Sequence, residues 1–114
     1  VKGFVTRNNL KLLFDDEKKI ISIKKEKGII EINEDKKGIS ITDDNNKNKI
    51  TLNDSGIVIE SGKDLKLSAK GDISIEGNKI DIKAKTNLTA SGNSGTSVKS
   101  NGATEVKGSV VNIN

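Results

Sequence analysis

The chain contains no cysteine, proline, histidine, methionine, tryptophan or tyrosine, and its only aromatic residues are Phe4 and Phe14. Each absence removes a class of chemistry. Without cysteine there is no disulfide, thiol nucleophile or thiolate metal ligand, and its lack is compatible with either redox compartment. Without histidine there is no Ser-His-Asp triad and no imidazole ligand. No stretch approaches the ~20 apolar residues of a membrane-spanning helix, and no positively charged, apolar N-terminal signal is present. The composition therefore argues against an enzyme, and no cofactor is expected.

Charge is plentiful but mixed. Twenty basic residues oppose sixteen acidic ones, for a net charge of +4 and a pI near 9.3. The two signs are interleaved, Lys18-Lys19 and Lys24-Lys25 are too short to be basic tracts, and no Tyr or Trp is available to stack on bases. A solvated surface is the expectation, with no nucleic-acid partner. Asp15-Asp16 and Asp43-Asp44 read as loop acids. Asp44, Asn46 and Asn48 imitate the start of a calcium loop, but Lys49 stands where its glycine belongs. Gly62-Lys63 is followed by Asp64 rather than Ser or Thr, so it is no phosphate-binding loop. Asn53-Asp54-Ser55 and Asn87-Leu88-Thr89 match glycosylation sequons, which matter only in a eukaryotic secretory setting.

What the chain does have is a repeat. An apolar residue, any residue and a second apolar or small residue recur as Ile21-Ser22-Ile23, Ile30-Glu31-Ile32, Ile39-Ser40-Ile41, Ile50-Thr51-Leu52, Ile57-Val58-Ile59, Leu65-Lys66-Leu67, Ile73-Ser74-Ile75, Ile80-Asp81-Ile82 and Leu88-Thr89-Ala90. Their starts lie 7 to 11 residues apart, and every middle residue except Val58 is polar. Side chains alternate between the faces of a strand, so each unit sends its outer pair to one face and its middle residue to the other. Glycines punctuate the units at expected corners. Short self-similar units at a short period are the mark of a solenoid or fibre, whose core forms only by stacking.

With 32% hydrophobic residues and two apolar side chains per unit, one chain buries little by itself. A single-chain β-helix needs three strands per coil, whereas this repeat closes at one strand. The expected fold is therefore all-β, an intertwined homotrimeric triple-stranded β-helix in which each octad strand forms one face of a triangular prism. Its core comprises the outer residues of the units from Ile21 to Leu88, followed by Val98 and Val106. About twelve strands at ~4.7 Å per layer make a rod of roughly 55 to 60 Å. From position 86 onward only Lys99, Glu105 and Lys107 are charged, and the core candidates shrink to Ala90, Val98, Thr104, Val106, Val111 and Ile113. A slimmer, weakly charged end is expected there, one that enters a membrane at lower cost. No repeat unit falls between positions 91 and 103.

The run Gly56-Ile57-Val58-Ile59-Glu60-Ser61-Gly62-Lys63-Asp64-Leu65-Lys66-Leu67-Ser68-Ala69-Lys70-Gly71-Asp72-Ile73-Ser74-Ile75 resembles the C-terminal spike of VgrG proteins and of related phage and phage-like baseplate spikes. So does the ending, Gly108-Ser109-Val110-Val111-Asn112-Ile113-Asn114. Thr6-Arg7-Asn8-Asn9-Leu10 and Phe14-Asp15-Asp16-Glu17 resemble the segment by which that family leaves its OB-fold domain. The likeness implies an entry segment over 1–19, a β-helical needle over 20–114 and a taper from about 86. It implies a membrane-piercing spike at the tip of a contractile injection system, such as a type VI secretion system, phage tail or phage-like particle. The spike would join the tube and baseplate through N-terminal domains missing here, contact the target membrane transiently, and carry a PAAR-type tip protein on Val111, Ile113 and Asn114. Assembly would occur in a bacterial cytoplasm, with delivery outside or into a target cell. The chain begins at Val1 rather than Met, so a fragment is expected. Some family spikes hold an axial ion through histidines, and this chain has none to carry over. Two other readings share the octads: the shaft of a trimeric phage tail fibre or adhesin, and a monomeric β-solenoid. The first would need a receptor-binding head after the shaft. The second would need an acidic cleft or an outward ladder of Thr, whereas the outward residues are mixed.

Overall fold

Alternating side chains broken by short polar turns dictate strands joined as hairpins. The computed structural model, which describes residues 1–34 and 38–114, contains seven of them. They are β1 (Lys2–Val5), β2 (Lys11–Asp15), β3 (Ile20–Lys25), β4 (Gly28–Asn33), β5 (Gly38–Asp43), β6 (Asn48–Asn53) and β7 (Gly56–Glu60). All lie in one sheet in sequence order, and every neighbouring pair is antiparallel. No helix occurs among the described residues.

Polar side chains build the turns. Between β1 and β2 the Thr6 N–H donates to the Leu10 carbonyl (2.9 Å) and the Thr6 hydroxyl accepts the Leu10 N–H (3.1 Å). Asn9 adopts a left-handed φ of 64° there, a conformation Asn tolerates better than most residues. After β2 the Asp15 carboxylate accepts the Lys18 N–H (3.1 Å), and after β5 Asp43 does the same for Asn46 (3.3 Å). At the β6–β7 turn the Asn53 side chain accepts the Ser55 N–H (2.9 Å), and Gly56 takes a φ of 123°. These are side-chain-to-backbone bonds of the kind that favour turns over continued strand.

The chain divides into two units, Val1–Ile73 and Ser74–Asn114. The first holds the whole sheet. In the second no strand occurs among the described residues, although it carries the units beginning at Ile80 and Leu88. Its ion pairs show an extended alternation: Lys79 meets Asp81 at 3.7 Å and Glu105 meets Lys107 at 2.8 Å. Partners two apart share one face, leaving Ile80 and Val106 for the other. A tight turn occupies part of the stretch that lacks a repeat unit. A Cβ on Gly92 would stand 2.2 Å from the Gly95 carbonyl oxygen.

The architecture agrees with the all-β expectation but places the strands differently. Five of the nine units lie in β3 to β7, each extended to five or six residues and paired with its own chain by hairpins. Segment 1–19, read as an entry, supplies β1 and most of the β2–β3 hairpin, and β2 pairs directly with β3. The units starting at Leu65, Ile73, Ile80 and Leu88 lie in no strand of this chain.

Candidate functional site

The pairing registers stack the unit residues into two continuous apolar ladders on one face of the sheet. One runs Phe4, Leu12, Ile23, Ile30, Ile41, Ile50, Ile59. The other runs Phe14, Ile21, Ile32, Ile39, Leu52, Ile57. Between them on the opposite face lie Leu13, Ser22, Glu31, Ser40, Thr51 and Val58. A one-residue slip at any hairpin would break both ladders, so the register is strongly specified.

Among the described residues the ladders lack a covering layer. No hydrophobic side chain among them is buried, and the outer residues of the units in β3 to β6 remain 37% to 53% exposed. Burial falls instead on Ser22 and Asn33, at 3% and 6% exposed. Ser22 is short and sits between Leu13 and Glu31 on the adjacent strands. Two open grooves follow the ladders, one over Phe14, Ile21, Ile32 and Ile39, the other over Leu12, Ile23, Ile30 and Ile41. A single layer with a bare apolar face does not make a domain, because stable architectures pack a second layer against it.

The later core candidates are bare as well. Leu65, Leu67, Ile73, Ile75, Ile80, Ile82, Leu88, Val98 and Val106 are all exposed. So are the tip candidates: Val111 and Ile113 are exposed, Ile113 at 91%, and Asn114 is exposed. No backbone-to-backbone hydrogen bond joins residues 61–114, among those described, to any part of the chain. Backbone N–H and C=O groups in a strand-forming segment are obligatory hydrogen-bonding groups and need partners from somewhere.

The polar residues singled out by the sequence serve local structure. Asp15 caps the β2–β3 turn, and Asn46 donates from Nδ2 to Asp43 (2.8 Å). The Asn48 side chain accepts the Gly62 N–H at 3.0 Å. Two members of the imitation calcium loop are thus engaged as turn donor and acceptor. Among the described residues no group of three or more acidic, His or Cys side chains converges as a metal site would. The Asn46 side-chain hydrogen bond is the main cause holding the Asp43 carboxyl below its ordinary value of 3.8, joined by bonds from Asn48 and the backbone of Asn45 and Asn46. A depressed folded-state pKa contributes stability above the unfolded value and loses it as pH falls through the folded one. Asp43→Asn should therefore slightly lower the Tm near neutrality, with the deficit closing below pH 3.8. Melting curves of both proteins across that range check it, and a gap that widens in acid refutes it.

Sequence reasoning missed β1 and β2. Lys11-Leu12-Leu13-Phe14 lacks a polar middle residue, which hid its alternation, yet Leu12 and Phe14 continue the ladders at the same two-residue spacing. No protein-family model and no curated protein matches the chain.

Proposed function

We propose that this chain is the subunit of a homotrimeric structural spike, the needle of a contractile injection system. One observation carries the reading: from Ser61 onward the chain has strand-forming apolar units and no backbone-to-backbone hydrogen bond among the described residues. Three copies winding together would supply both needs, pairing the backbones and closing the apolar residues around an axis. The ladders of three antiparallel sheets would likewise close on one another, as three walls of a prism. Burying an Ile already half covered adds about 1 kcal/mol per residue, and the ladders repeat that gain along their length. Rigidity follows from the intertwining, since local failure requires three chains to unwind together. The bare distal end, poor in charge, suits entry into a membrane. It would also present Val111, Ile113 and Asn114 to a PAAR-type tip protein.

The first test is the mass in solution. A particle of three times 12.2 kDa by light scattering and sedimentation is expected, with a frictional ratio well above that of a sphere. A compact monomer overturns the reading. The role in penetration is tested in the injection particle itself, where deleting this region should abolish entry; undiminished entry overturns it. At the tip, Ile113→Asp should weaken capture of the tip protein about tenfold or more while leaving the trimer intact, because a charge would replace an apolar contact. Titration of both trimers with the tip protein checks this, and unchanged affinity removes Ile113 from the docking surface.

A further inference from the structure

The sheet stops at β7, whose Gly56–Glu60 backbone pairs with β6 on one side and with no other strand among the described residues on its outer side. Such an edge presents a row of N–H and C=O groups that another strand can fill. The chain's own continuation is steered elsewhere. Beyond Glu60 the Ser61 hydroxyl accepts the Lys63 N–H (3.3 Å) and donates to the Asp64 carbonyl (2.8 Å), closing a small turn. Gly62 then donates to the Asn48 side chain at the start of β6. Its backbone lies so close to the β5–β6 turn that a Cβ there would stand 2.3 Å from the Asn46 carbonyl oxygen and 3.0 Å from the Lys47 Cβ. This clamp draws the chain across the end of β6, whereas another hairpin would have to return along the far side of β7.

Leu65-Lys66-Leu67 nonetheless has the spacing that β7 asks of a neighbour. Placed on the outer edge, Leu65 and Leu67 would extend the ladders that end at Ile57 and Ile59, and Lys66 would stand opposite Val58. That opposition holds whether the strand runs parallel or antiparallel, because both units are centred on their middle residue. Both leucines are exposed, and neither makes a backbone-to-backbone hydrogen bond among the described residues.

We infer that the outer edge of β7 is filled by residues 65–67 of a second copy of this chain, and that the Asn48–Gly62 clamp is the point where pairing passes from own-chain to partner-chain strands. The inference rests on the trimeric reading and gives it an address. With three copies each edge receives the strand of the next and the ring closes.

The chain has no cysteine, so an engineered pair reports without background. In Val58→Cys/Lys66→Cys the two thiols would face outward on adjacent strands, with Cα atoms about 5 Å apart, within disulfide range. Oxidation should yield covalent dimer and trimer on a denaturing, non-reducing gel. Co-refolding the two single variants should yield a mixed covalent dimer. A disulfide confined to one chain, or free thiols in a particle of trimeric mass, overturns the exchange while leaving the trimer standing. A monomeric unmodified protein overturns the trimer itself. Should the double variant fail to assemble, hydrogen exchange on the unmodified trimer decides: β7 amides on the outer edge as protected as those of β6 support the exchange, and fast exchange there refutes it.

Discussion

Ile75→Asp is expected to abolish the trimer. In the proposed prism three copies of this residue meet on the axis, and the substitution would place three carboxylates there without a counter-ion. Burying an unpaired charge costs at least about 3 kcal/mol, and mutual repulsion adds to it, so the loss applies threefold to one assembly. Light scattering should show monomer or disordered aggregate. The control is Ser74→Asp on the adjacent residue, whose side chain faces outward and should leave the mass unchanged. If both variants remain trimeric, Ile75 does not face an axis. If both fail, the alternation assigned to this unit is wrong.

A second large effect is expected from Gly38→Val. A Cβ at this position would stand 2.2 Å from the Leu52 carbonyl oxygen and 3.1 Å from the Asn53 Cβ, both on the paired strand β6. The nearer atom is backbone, so no rotamer change relieves the clash, and β5 must leave its register or bend away. The cost is about 3 kcal/mol or more, enough to lower Tm by about 10 °C. Gly28 provides the contrast. A Cβ there would find its nearest neighbour, the Lys25 carbonyl oxygen, at 3.9 Å, so Gly28→Ala should melt within a few degrees of the parent. Equal melting of all three proteins would mean that β5 and β6 do not pair as described.

Much of this was legible in the chain of residues, and the limits have physical causes. The alternation of Ile21-Ser22-Ile23 and its successors fixed which residues share a face, because period two has only one geometrical meaning. It could not say which strand each unit would pair with, since an antiparallel hairpin and an intertwined coil bury the same dyads. A signal was available in the spacings. The units from Ile21 to Ile57 start 9, 9, 11 and 7 residues apart, as hairpins with varied turns allow, whereas those from Ile57 to Leu88 settle to 8, 8, 7 and 8. The change of rhythm falls at β7, where own-chain pairing ends. Turn chemistry at Asp54-Ser55-Gly56 also pointed to a hairpin. The Asn48–Gly62 contact joins residues whose proximity no local pattern announces.

The sequential order of the sheet also divides folding into two regimes. Each of the six strand pairings in β1–β7 joins immediate neighbours in the chain. Such contacts close small loops and form on the timescale of hairpins, within one molecule and at any dilution. In the proposed trimer residues 61–114 would have no comparable local route, so their ordering would wait on encounters between chains and become steeply concentration-dependent. A nascent protomer would thus exist as a half-finished object, one end zipped and the other a pliant tail open to proteases. Its lifetime would be set by how many siblings are being synthesised nearby.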